Sequence, residues 1–111
     1  MSELDDAIEN LNAAIKKTQE YQDYEREKDK VGRIPKLKEQ IDEFRIRNYE
    51  MQNRSDDKEL FHKMDEFEQK YEKFRENPLV ADFLAAELAF CRMMQMINIR
   101  VTESLDFDLT V

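Results

Sequence analysis

The segment from Leu79 to Val101 limits the possible folds more than any other feature, because seventeen of its twenty-three residues are apolar. The residues that interrupt it are Asp82, Glu87, Arg92, Gln95, Asn98 and Arg100. On a helical wheel these six do not gather into one wide polar face. A helix that is apolar on nearly every side has to be surrounded by other polypeptide, since each exposed Leu, Phe or Met forgoes about 1.5–3 kcal/mol of burial. We therefore predict a long helix here that protein encloses.

Helix breakers are scarce in the rest of the chain, which has one Gly and two Pro in 111 residues. They stand between segments whose apolar residues recur at steps of three and four. Residues that commonly begin helices precede four of these segments, and they are Ser2, Thr18, Ser55 and the pair Asn77-Pro78. Gly32 is expected to end the second helix in a left-handed conformation. The predicted helices are Leu4–Lys17, Gln19–Val31, Pro35–Gln52, a helix from Ser55 to Arg75, and Pro78–Ser104.

Two apolar stripes predict that the third and fourth helices pair with each other. The third helix carries Ile34, Leu37, Ile41, Phe44, Asn48 and Met51, and the fourth carries Leu60, Met64, Phe67, Tyr71 and Phe74. The fold class that follows is all-α, a five-helix antiparallel bundle with a long apolar C-terminal helix. We expect residues 1–105 to form a single helical domain and residues 106–111 to be a frayed tail.

The other four helices can cover the apolar helix only in part, because two of them are short and two pair with each other. A contiguous exposed apolar stripe marks an interface, so we predict a homodimer with this helix at or near the two-fold axis. The alternative is a monomeric bundle with the helix at its centre. The predicted dimer or partner interface consists of Phe83, Leu84, Glu87, Leu88, Phe90, Cys91, Met94, Ile97 and Val101.

Single residues of the apolar helix allow two interpretations each. Glu87 is either one half of an interhelical or intersubunit salt bridge, which is favoured, or a polar anchor for a protein partner. Met93, Met94 and Met96 more often fill a core than form an adaptable binding surface. Cys91 is expected to be buried among apolar residues and inert.

Charge and cysteine content limit the cellular setting and the partners. The net charge of −8 disfavours direct binding of nucleic acid. Residues 26–47 are locally basic, which indicates an ordinary solvated face or, less often, a docking patch for an acidic partner or RNA. One Cys fits a reducing compartment. We expect a cytoplasmic protein without membrane insertion, because neither a secretory signal nor an apolar span of about 18 residues is evident.

Catalytic ingredients are scarce, since the chain has one His, one Cys and one Gly. A single glycine cannot build a Gly-rich phosphate loop. The pair Glu59 and His62 has the i,i+3 spacing of carboxylate-bridged di-iron bundles, but an acid in a first helical turn is also expected for dipole reasons. We predict a protein that is not an enzyme and has no cofactor. A metal-binding helical bundle, either a di-iron-like enzyme or a storage protein using Glu59 and His62, is the alternative.

The run from Asn77 to Glu87, followed by the apolar helix, resembles the closing helix of the YlbF/YmcA family of bacterial proteins. The segments Glu20–Tyr24, Pro35–Leu37 and Ile41–Phe44 resemble the front half of that family, so the resemblance covers most of residues 4–104. It implies a small helical protein that forms dimers or larger oligomers. It also implies a regulatory adaptor in competence, sporulation and biofilm formation.

Some members of that family belong to a complex that modulates the membrane-anchored endoribonuclease Y and thereby mRNA processing. The resemblance therefore implies protein partners such as ribonuclease-associated regulatory proteins. Some of those members carry C-terminal cysteines linked to an iron–sulfur cluster, whereas Cys91 of this chain lies in the middle of a predicted helix. In this respect the chain looks closer to the short, cysteine-poor branch that is similar to YheA.

Overall fold

The computed structural model describes residues 2–54 and 57–106, and it describes the side chains of these residues except those of 54 and 57–59. Within this part the chain is all-α, as predicted. The five helices are α1 (Glu3–Lys16), α2 (Gln19–Gly32), α3 (Leu37–Arg54), α4 (Asp57–Glu76) and α5 (Pro78–Ser104). The antiparallel bundle arrangement and the dimer stay predictions.

Three of the four predicted helix starts are confirmed by their hydrogen bonds. The Ser2 hydroxyl accepts from the Asp5 amide at 3.1 Å and the Asp5 carboxylate accepts from the Ser2 amide at 3.3 Å, which forms a capping box. The Thr18 hydroxyl accepts from the Tyr21 amide at 3.2 Å. The Asn77 side-chain oxygen accepts from the Leu79 amide at 3.1 Å. The fourth predicted cap, Ser55, lies outside the described residues.

The turn between α2 and α3 differs from the prediction. Gly32 is the last residue of α2 and does not have a positive φ, whereas Lys36 has a φ of 68°. The Leu37 amide donates to the Ile34 carbonyl at 3.2 Å, so residues 34–37 form a hydrogen-bonded turn with Pro35 in its second position. A type II turn needs the positive φ at its third position. Lys36 therefore takes the left-handed conformation, and α3 begins at Leu37, two residues later than predicted.

The packing divides the chain into two compact units. The central unit is Lys28–Phe83, and the terminal unit consists of the N-terminal residues up to Glu27 together with the chain from Leu84 onward. Helices α2 and α5 each contribute residues to both units. That residues 1–105 act as a single domain stays a prediction.

The central unit holds most of the buried apolar side chains. They are Val31, Leu37, Ile41, Phe44, Phe67, Val80 and Phe83. Helices α3 and α4 pack against each other as their stripes predicted. The Phe44 ring lies 5.4 Å from Phe67, 5.2 Å from Tyr71 and 5.7 Å from Phe74, measured between centroids. The Arg75 guanidinium lies over Phe44 and Phe67 and binds both carboxylate oxygens of Glu68 at 2.8 and 2.9 Å.

Among the described residues, no helix combines the length and the apolar character that a bilayer crossing requires.

Candidate interaction surface

Helix α1 has an apolar stripe that is covered only at its C-terminal end. Leu4, Ile8, Leu11 and Ile15 follow each other at steps of four, three and four, so they share one face. Their exposed fractions fall along the helix, and are 68% for Leu4, 47% for Ile8, 40% for Leu11 and 9% for Ile15. Ile15 is thus packed into the terminal unit, while the first two turns of α1 present apolar side chains to solvent.

Helix α5 has one face that α2 covers within the terminal unit. The Phe90 ring is stacked on Tyr24, with the centroids 5.2 Å apart and the planes at 8°, and lies 5.8 Å from Tyr21. Met94 and Ile97, which are one and two turns further along the same side, are half-buried. The aromatic pairs of α2 therefore determine which side of α5 faces the protein.

The opposite face of α5 is open and contains large apolar side chains. Leu88 is 50% exposed and Ile99 is 52% exposed, and they are eleven positions apart, which corresponds to about three turns. Met96 is exposed as well. So are Val101, which lies three turns beyond Phe90 on the other side, and Leu105, which follows the end of α5. We define the terminal surface as the large exposed apolar side chains in the described part of the terminal unit. They are Leu4, Ile8, Leu11, Leu88, Met96, Ile99, Val101 and Leu105.

The residues predicted to form an interface fall into three groups. Leu88, Cys91 and Val101 are exposed. Leu84, Glu87, Phe90, Met94 and Ile97 are half-buried. Phe83 is buried in the central unit with the Arg45 guanidinium 5.5 Å from its ring centroid, which leaves almost none of Phe83 for a partner. The interface itself stays a prediction, and its accessible residues lie on more than one side of α5, because Val101 follows Phe90 by three turns whereas Leu88 lies on the opposite face.

Cys91 is exposed, so the expectation that it is buried was wrong for this chain. It follows Leu88 by three residues and therefore lies beside the open face of α5. The expectation of a buried thiol had assumed that every side of α5 is covered, and α2 covers only one.

Sequence reasoning did not assign Leu4, Ile8, Leu11, Met96 and Ile99 to an interaction surface. The stripe of α1 has the ordinary spacing of a helix that faces a core. One signal was present nevertheless, because the first turns of α1 are rich in acids, which favours their exposure to solvent. For α5, the missing information was the direction of its covered face.

A shallow groove runs along α5 next to its open face. The residues lining it are Glu20, Ala89, Arg92, Met93, Met96, Ile97 and Arg100. Its floor is apolar, and two arginines and one glutamate stand at its sides. Met93 is half-buried and Met96 exposed, so this pair of methionines is split between packing and surface.

The four arginines of the basic region 26–47 each pair with acids that are one to four residues away in the sequence. Arg26 binds Asp23 at 3.0 Å and Glu27 at 3.3 Å, and the hydrogen bond that it donates to Glu27 raises the pKa of Arg26. The other pairs are Arg33 with Asp29, Arg45 with Asp42, and Arg47 with Glu43 and Glu50. Such neutralised pairs are what a solvated helix face presents, and this favours the ordinary interpretation over an RNA-binding patch.

Glu27 is a buried carboxylate that sequence reasoning missed, with an exposed fraction of 6%. It directly follows Arg26, whose guanidinium nitrogen donates to its Oε1. A sequence offers no signal for such burial in α2, which is mostly charged. Glu87, the acid that was singled out, is only half-buried.

The pair proposed for a metal site is described only in part. The side chain of Glu59 lies outside the described residues. His62 is exposed, and its Nε2 lies 2.9 Å from an oxygen of Glu66, one turn further along α4. Within the described ranges, no group of three or more His, Cys, Asp and Glu side chains is arranged so that it could hold a metal ion. The described part of α4 therefore adds no observation in favour of the metal-binding alternative.

The comparisons with known proteins give one match. The family model described as "Control of competence regulator ComK, YlbF/YmcA" matches residues 4–106. No curated protein and no solved structure matches the chain significantly. The matched range takes in all five helices and both units. The chain therefore belongs to the YlbF/YmcA family, whose description is the control of the competence regulator ComK.

Proposed function

We propose that the protein is a non-enzymatic regulatory adaptor that acts through protein–protein interaction. The observation that carries this proposal is the terminal surface, where eight large apolar side chains of α1, of α5 and of the residue after α5 are exposed. Exposed apolar residues are ordinary when they are scattered, but eight large ones within one compact unit are typical of an interaction site. The family description, control of a competence regulator, supports a regulatory role.

The first partner in this proposal is a second copy of the chain. Homodimers are the commonest soluble oligomers, and a two-fold interface brings the same patch of each copy together. Covering Leu88 and Ile99 would recover burial that the single chain forgoes. The further partners are proteins of the regulatory machinery, including ribonuclease-associated proteins, and the setting is the cytoplasm. Family membership alone supports these finer assignments to competence, sporulation, biofilm formation and mRNA processing.

The absence of catalysis is part of the proposal. It is supported by the scarcity of histidine and cysteine, since the sequence contains one of each. Cys91 lies on the open face of α5 and His62 lies on α4, and α4 and this part of α5 belong to different units.

Aspartate substitutions at the terminal surface test the proposal. We expect Leu88→Asp and Ile99→Asp each to shift a dimer toward monomer, because a carboxylate in an apolar interface must be desolvated. Both side chains are about half exposed, so the substitutions should leave the helical fold intact. Sedimentation velocity would measure the association at protein concentrations of about 1 to 100 micromolar, which span micromolar dissociation constants. Circular dichroism would check that the helical fold is intact.

The matched control is Ile46→Asp on α3, where the side chain is 57% exposed but belongs to the central unit. We expect this variant to associate as the wild type does. A monomeric wild type, or a dimer that loses as much affinity from Ile46→Asp as from Ile99→Asp, would contradict the proposal.

A further inference from the structure

The groove of the terminal unit has the chemistry of a site for an acidic amphipathic helix. Its floor consists of Ala89, Met93, Met96 and Ile97. Methionine packs against irregular apolar surfaces because its side chain is unbranched and flexible. Arg92 and Arg100 stand eight residues apart along α5, which corresponds to about 12 Å along the helix axis. An apolar strip between two cations is the complement of a helix with an apolar stripe and acidic flanks.

Both arginines are exposed, and neither guanidinium has an ion-pair partner within the described part of the chain. This sets them apart from the arginines of residues 26–47, which pair with acids close to them in the sequence. The groove lining carries two arginines against one acid, Glu20, so it is net positive in a protein whose net charge is −8, and this points to an anionic occupant.

The first two turns of α1 have the complementary pattern. Leu4, Ile8 and Leu11 form the exposed stripe. Residues 3–9 contain four acids and no base, and the acids are Glu3, Asp5, Asp6 and Glu9. Leu4 and Leu11 are seven residues apart, or about 10.5 Å along the axis, so the stripe has nearly the length of the groove between its two arginines.

In the single chain these two surfaces do not meet, because no residue of α1 lines the groove and the α1 stripe is exposed up to Leu11. Both surfaces belong to the terminal unit. A two-fold axis can therefore place the α1 of each copy in the groove of the other, with two identical contacts in one dimer.

We propose that the acidic N-terminal half of α1 docks into the groove between Arg92 and Arg100 of a second copy of this chain, reciprocally. This inference rests on the proposed function, which it deepens by naming the two elements that form the dimer. The apolar stripe supplies the burial, and the charges fix the orientation and the choice of partner.

A charge exchange tests this docking in the full-length chain. The groove variant is Arg92→Glu with Arg100→Glu, and the helix variant is Glu3→Lys with Glu9→Lys, which leaves the capping box of Ser2 and Asp5 intact. Each variant alone faces like charges in its homodimer, so we expect its dissociation constant to rise on the order of tenfold or more. In an equimolar mixture both contacts of the mixed dimer regain opposite charges, and its affinity should return to within about threefold of the wild type.

The matched controls change the net charge equally in the central unit. They are Lys38→Glu with Lys73→Glu, and Glu39→Lys with Glu72→Lys, which are exposed positions of α3 and α4. Sedimentation equilibrium should give wild-type dimers for each control alone. Unchanged dimers of the groove or helix variant, or a mixture that stays monomeric beside a dimeric wild type, would overturn the docking and leave the proposed function standing. A monomeric wild type, or an Ile99→Asp variant that dimerises fully, would overturn the proposed function itself.

Discussion

Lys36 carries the backbone strain of the turn between α2 and α3. Its φ of 68° is left-handed, and this conformation costs an L-residue about 1–2 kcal/mol because its Cβ approaches the carbonyl oxygen. With the turn bond from the Leu37 amide to the Ile34 carbonyl and Pro35 in the second position, this positive φ fits a type II turn. The conformation of Lys36 therefore lowers the stability of the chain locally, at the turn that leads directly into α3.

We expect Lys36→Gly to raise the free energy of unfolding by about 0.5–1 kcal/mol, since glycine removes the strain but adds freedom to the unfolded chain. Urea denaturation followed by circular dichroism measures this change. The same substitution at Lys38, inside the first turn of α3, should instead cost up to about 1 kcal/mol. If Lys36→Gly and Lys38→Gly changed the free energy of unfolding in the same direction, the effect of glycine would not come from the turn.

Residues whose structure depends on neighbours in sequence were predictable. Ser2, Thr18 and Asn77 cap their helices through bonds that span two or three residues, and the residue types alone indicate this geometry. The left-handed residue was assigned to Gly32 because glycine adopts that conformation most easily. The structure has this conformation at Lys36 instead, within the hydrogen-bonded turn of residues 34–37.

At the scale of helices, the stripes of α3 and α4 were sufficient to predict their packing. Each helix has one narrow apolar face, so only one mutual orientation buries both. The aromatic cluster of Phe44, Phe67, Tyr71 and Phe74 lies on those faces. The orientation of α5 could not be predicted in this way, because a helix that is apolar on nearly every side has no stripe to indicate its covered face.

Two isoleucines of α3 give a direct measure of this difference between faces. Ile41 is 1% exposed and Ile46 is 57% exposed. We expect Ile41→Ala to lower the free energy of unfolding by about 2–5 kcal/mol, because it leaves a cavity in the core of the central unit. Ile46→Ala should change it by less than about 0.5 kcal/mol. Comparable losses in both variants, measured by urea denaturation, would mean that α3 buries a different face.

At the scale of the whole molecule, the burial of apolar residues is unequal between the two units. The central unit contains seven of the buried hydrophobic residues, and Ile15 is the one that the described part of the terminal unit contains. The terminal unit instead exposes the large apolar side chains of the terminal surface. The need for protein to enclose the apolar helix was predictable from composition. On one side α2 covers this helix through the contacts of Tyr21 and Tyr24 with Phe90. These contacts could not be predicted, because they join residues that are distant in the sequence.

The central claim is that the terminal unit, and not the central unit, is where this chain binds other proteins. Hydrogen–deuterium exchange of the wild type, compared below and above its association midpoint, tests it directly, because amides of helices that become covered open less often. We expect slower exchange at high concentration in α1 and in α5 from Leu84 onward, with α3 and α4 unchanged. Protection that appears in α3 and α4, or exchange in α1 and α5 that does not depend on concentration, would contradict the claim.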